Sequence, residues 1–217
     1  MAQSQNTELV DYLIAAHDNT ANYYHLMEDV IINTRNIMVQ DSSRFNSVAV
    51  GEVSEGLKAI VEIRGETQAI IDEATGTEQC VNAAVLNWEA ALKNSGSTIA
   101  SCVQENLAYM NRITGEINSE LSEQHEFIFD LQNLILNAIS EVNILTNEQG
   151  LTPFINSETI RIVQTFVNYT ANRFGRILED LRVTSSAAQR SIEMCINEVV
   201  STVRDDAVVV ANTLEFC

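Results

Sequence analysis

Cysteine is the residue type whose spacing in this chain carries chemistry. "CVNAAVLNWEAALKNSGSTIASC" runs from Cys80 to Cys102, and "CINEVVSTVRDDAVVVANTLEFC" runs from Cys195 to Cys217; these are the only four cysteines. Both stretches open with Cys, Val or Ile, then Asn, and both close after the same 22-residue step. A disulfide needs Cα atoms within about 7 Å. Over that step a continuous helix separates its end cysteines by about 33 Å, so neither stretch closes on itself while helical. A break at 94–97 would leave Cys80 about 20 Å before the turn and Cys102 about 8 Å after it. Cys195 and Cys217 would meet only if the chain folded back at Asp205–Asp206. Equal steps suit two neighbouring helices joined twice. If they are antiparallel, Cys80 meets Cys217 and Cys102 meets Cys195, which is the preferred pairing. If they are parallel, Cys80 meets Cys195 and Cys102 meets Cys217. Either pairing closes loops of at least 93 residues, contributing about 4–5 kcal/mol each by the chain-entropy argument. Four reduced core cysteines are the alternative.

Other side chains offer less. His17, His25 and His125 stand in no Glu-x-x-His or His-Glu-x-x-His pattern, so no carboxylate-bridged or zinc site is expected. The chain has no Cys-x-x-Cys, no glycine loop for phosphate and no Gly-x-Ser-x-Gly elbow, so no catalytic residue or cofactor is expected. "EQHEF" sets His125 between Glu123 and Glu126, which reads as a solvated helix face. "NYYHLMED" (22–29) reads as a core stripe with a polar edge, a ligand pocket being the alternative. Trp88 reads as a core anchor, with an interface role as its alternative. Asn168-Tyr169-Thr170 is a glycosylation sequon with Asn168 as acceptor.

The elements that position these residues follow from composition. The 217 residues are 46% hydrophobic with 6% aromatic, one proline (Pro153) and eight glycines. So few breakers exclude a β-sandwich and favour an all-α chain. The net charge is −18, with Lys58 and Lys93 the only lysines. Such a surface repels phosphate backbones and anionic headgroups, so no nucleic-acid partner is expected. No stretch of about 18 apolar residues marks a membrane span. "MAQSQNTELV" is too polar for a signal peptide and reads as a mature "AQSQ" start behind an added Met.

Apolar residues recur at three- and four-residue steps nearly throughout. A helix is expected over 7–39 with Thr7 as its cap, then a connection over 40–56. A break follows in "ATGTEQC" (74–80), with Thr77 capping the next helix. "KNSGST" (93–98) reads as a stop and restart, 146–159 as a second connection, and "VTSSAAQ" (183–189) as a bend. The stripe keeps phase at about 3.5 residues across these points, as in slightly supercoiled helices. The fold expected is one all-helical domain over 1–217, an elongated bundle of long amphipathic helices stapled by two inter-helix disulfides. A compact bundle of six to eight shorter helices is the alternative. The repeated Cys-[Val/Ile]-Asn also suggests duplicated three-helix halves, 1–110 and 111–217.

At "CVNAAVLNWEAALKNSGSTIASCV" the chain resembles secreted insect proteins related to the N-terminal helical domain of the tsetse fly EP midgut protein. The shared look is a Cys, a helical stretch, a Gly or small residue six before the next Cys, then Cys-Val or Cys-Ala. The resemblance covers residues 60–217, and no Glu-Pro repeat is present, so only the helical domain is shared. It implies secretion, often into the gut, and supplies no catalytic residues. The expected function is a secreted, non-enzymatic binding or surface-interaction protein of extracellular fluid or gut lumen, with an unknown protein or an apolar small molecule as partner. A carrier of a hydrophobic ligand such as a fatty acid in the bundle core, and a self-associating coiled-coil protein, are the alternatives.

Overall fold

The computed structural model describes the backbone of residues 2–141 and 148–217, and the side chains of residues 8–140 and 150–217. They form three helices and no strand: α1 (Ala2–Glu73), α2 (Glu78–Glu141) and α3 (Glu148–Glu215), of 72, 64 and 68 residues. This is the expected all-α bundle of long helices, with α2 and α3 joined by two disulfides. It packs as two units, each drawing on all three helices rather than on one half of the chain. The first holds Met1–Gln40 and Thr114–Leu181, the second Asp41–Ile113 and Arg182–Cys217.

Several expected breaks are absent. Residues 40–56 lie inside α1, 93–98 inside α2, and 183–189 inside α3, which starts at Glu148 and carries Pro153 near its beginning. The part of the second connection at 146–147 lies outside the described residues. The first helix also starts before Thr7, at Ala2. The physical reason is burial. Phe45, Ala49 and Gly56 are buried within 40–56, Ser95 within 93–98, and Thr184, Ser185 and Ala188 within 183–189. A mid-helix glycine costs about 0.5–1 kcal/mol against alanine, less than fully burying one large apolar side chain contributes. The polar residues bond within the helix: Ser97 donates to the Lys93 carbonyl at 3.1 Å, and Ser186 to the Arg182 carbonyl at 2.9 Å.

The break at 74–77 is real. Between Ile71 and Ala84 no side chain is buried, so nothing holds a helix together there. The Thr77 carbonyl accepts from the Cys80 and Val81 amides, each at 3.0 Å, as expected of a residue opening a helix. Gly76 packs against Cys217 so closely that a Cβ would run into the cysteine's own Cβ.

The core pattern differs from the expected 3.5-residue phase. In α2, Trp88, Ile99, Met110 and Leu121 are buried at eleven-residue steps; in α3, Leu181, Ile192, Val203 and Leu214 are; in α1, Ala16, Met27, Met38 and Ala49 are. Eleven residues over three turns is about 3.67 per turn, close to a relaxed helix, and it does not call for the left-handed supercoil of a heptad.

Gly56 marks a close approach of α1 to α3, since a Cβ there would run into the side chain of Ile196, whereas Gly65 faces open space. Gly56→Ala should therefore destabilise the protein by about 1–3 kcal/mol, and Gly65→Ala should stabilise it by about 0.5–1 kcal/mol. Denaturant unfolding of the two variants checks both signs.

Candidate binding groove

The second unit is built around its cross-links. Cys80 is bridged to Cys217 with Cα atoms 5.6 Å apart, and Cys102 to Cys195 at 6.6 Å, the antiparallel pairing. Both bridges join α2 to α3, and α1 carries no cysteine. The two loops are nested, spanning 137 and 93 residues. With either bridge closed, the other constrains a ring made mainly of the two 22-residue stretches. The chain-entropy argument then assigns about 4 kcal/mol to each, below the roughly 5 expected of an isolated loop of this length. Trp88, on α2 between its two cysteines, is 2% exposed and is the core anchor expected of it; its indole N–H has no hydrogen-bond partner.

A surface groove of about 820 Å³ lies between α1 and α2 in this unit. Its walls are Val50, Val53, Leu57 and Val61 on α1 and Val103 and Leu107 on α2. Three of these stand far out in solvent: Val50 is 70% exposed, Val61 66% and Leu57 46%. Asn46, Ser54, Lys58 and Glu62 supply the polar groups, and the buried Ala49 belongs to the lining. An adjoining depression shares Val53, Val103 and Leu107 and continues along α2 over Gly96 and Ala100. The arrangement follows from helix geometry. Ala49, Gly56 and Ile63 face the core, while Val50, Leu57 and Val61 sit one position or more around the helix. Sequence reasoning missed this groove, because 40–56 reads as a connection. The signal available was a second run of apolar residues, Val50, Val53, Leu57 and Val61, at three- and four-residue steps beside the core stripe.

The first unit holds the remaining candidates. Asn168 is exposed on α3, and the Thr170 hydroxyl of the same sequon donates to the Phe166 carbonyl at 2.9 Å. Tyr169, between them, donates its hydroxyl to Glu120 on α2, and Arg173 pairs with the other oxygen of that carboxylate. The Arg173 guanidinium also lies over the Tyr169 ring, 5.5 Å from its centre. Within 22–29, Met27 is buried, Tyr23 and Tyr24 are half-buried and His25 is exposed, a core stripe with a polar edge. His125 is exposed and lines a shallow depression with Tyr24 and Phe129. The contacts of His17 with Asp18 (3.4 Å) and of His25 with Glu28 (3.9 Å) lie at the solvent surface. Among the described residues no group of three or more His, Cys, Asp or Glu is placed to hold a metal.

The fold and groove define the class: an all-α, disulfide-bonded bundle with an apolar trough on its surface. No protein-family model matches the chain, and no curated protein or solved structure matches it.

Two outcomes follow. Replacing either cysteine pair by serine should lower stability by about 4 kcal/mol, measured by denaturant unfolding under non-reducing conditions. Burial, the hydrogen bond to Glu120 and that residue's negative charge push the Tyr169 phenol up from 10.0 to about 12. The folded state therefore holds this proton more tightly than the unfolded chain. The stability it contributes is complete below pH 10.0 and is lost as pH rises to about 12. Tyr169→Phe should remove the highest-pH step from the phenolate absorbance titration.

Proposed function

We propose that this chain is an extracellular, non-enzymatic binding protein that takes its ligand on the surface of the second unit. The groove walled by Val50, Leu57, Val61, Val103 and Leu107 carries this reading. Large apolar side chains gathered in an open trough are characteristic of a surface that binds. The compartment is supported by two disulfides closing long loops, which persist in oxidising surroundings. Among the described residues no helix is long and apolar enough to cross a membrane. Asn168, exposed on α3, is the proposed glycosylation site.

The kind of ligand favoured is a small apolar molecule. The groove's volume of about 820 Å³ falls within the roughly 300–1,000 Å³ of small-molecule sites. The core of this unit is already filled by Phe45, Trp88, Ile99 and Met110, each 6% exposed or less. The carrier reading therefore moves from the bundle core to its surface.

An apolar fluorescent dye titrated into the protein tests this. Wild type should bind it saturably, and Leu57→Asp/Val61→Asp should bind it at least about tenfold more weakly, with helical circular dichroism unchanged. Equal binding by both proteins would remove the groove as the site.

A further inference from the structure

We propose that the groove takes a long-chain carboxylate, its acyl chain along the valine and leucine walls and its carboxylate on Lys58. This rests on the reading of the groove as a binding site and adds the class of ligand. From Val50 to Val61 the α1 wall covers three turns, about 17 Å. A long, open trough of that kind matches a flexible acyl chain better than a compact ring system. Its charged groups are confined to one end: Lys58 lies between Leu57 and Val61 with Glu62 beyond it, while Asn46 and Ser54, toward the other end, are uncharged. That is the layout an amphipathic chain with one charged head requires.

Lys58 is the group that selects the head. It is one of two lysines in a chain of net charge −18. It is exposed, and no ion pair is formed by it among the described residues. Glu62 is one turn along the same helix yet outside ion-pairing distance, so the ammonium is available to an incoming anion. Its aliphatic stem extends the apolar wall while the charge stays in water. Most of the protein's negative charge acts weakly at this site, because charges beyond about 8 Å are largely screened at physiological salt. Glu55 and Glu62, one turn to either side of Lys58 on α1, are the carboxylates near enough to oppose an anion, so the apolar walls supply most of the binding. The same overall charge works against a second copy of the chain as occupant, since two such surfaces would meet across a whole face. The groove also lies on a seam that can adapt. Both disulfides fix α2 to α3, while α1 is joined to α2 through the turn at 74–77 with no disulfide of its own.

The test is displacement of the apolar dye by dodecanoate and by dodecan-1-ol, on wild type, Lys58→Ala, Lys58→Arg and Leu57→Asp/Val61→Asp. Dodecanoate should displace dye from wild type more tightly than the alcohol does. Lys58→Ala should weaken dodecanoate about tenfold and leave the alcohol unchanged, with Lys58→Arg restoring the acid. If Lys58→Ala alters neither ligand, the head-group assignment fails while the groove reading stands. If neither ligand displaces dye that the groove demonstrably binds, the acyl assignment fails alone. If no probe binds, both fail. A concentration-dependent dimer in light scattering, abolished by Leu57→Asp/Val61→Asp and unaffected by dodecanoate, would give the groove to a second copy and overturn the proposal.

Discussion

The eleven-residue repeat is the constraint on which the rest of this structure depends. It brings the same helix face back after three turns, and it does so in all three helices. The cysteines obey it too, because their 22-residue step is two such repeats. At 3.5 residues per turn, the ends of that step would point about 100° apart; at 3.67 they share a face. Two helices with cysteines so spaced can be bridged at both places without twisting either one. The equal spacing of the two pairs is thus a statement about helix phase as well as about pairing. Core and cross-links use one period, so a shift in register would cost both together.

The two units join α2 to α3 by different means. In the second unit the joint is covalent, with Trp88 packed between the staples. In the first it is polar: Glu120 of α2 accepts from Tyr169 and pairs with Arg173, both on α3. Such a partly exposed ion pair contributes little by itself, and buried residues such as Leu121, Leu131, Ile155 and Phe166 supply most of the cohesion there. The first unit's polar joint responds to pH, while the second unit's joint responds to reductant.

Much of this was legible in the sequence, and the misses share a cause. The stripe and the cysteine steps identified long helices and the antiparallel pairing, because both depend on helical period alone. Gly51, Gly56 and Gly96 look like helix ends yet lie within helices. Local propensity marks them as breaks, but the residues around them are buried and the helix continues. "KNSGST" and "ATGT" are similar in composition and differ in outcome because Ser95 is buried in the first, while no residue from 72 to 83, around the second, is buried. The groove was illegible for a related reason. Val50, Leu57 and Val61 are as apolar as core residues, and only the packed structure shows that they face outward. Glu120 and Tyr169 could be matched only once the disulfides had set the register of α2 against α3.

The nesting of the two bridges also decides how the molecule responds to a protease. Any single cut between Cys80 and Cys217 leaves both pieces in one covalent molecule, and between Cys102 and Cys195 they remain tied twice. Only a cut before Cys80 frees a fragment, and that fragment comes from α1 and the turn after it. The scaffold of α2 and α3 therefore stays in one covalent piece after any one nick. One clip between Val61 and Cys80 leaves the α1 wall with no covalent link to the scaffold, so the two walls of the groove can part while α2 and α3 stay joined.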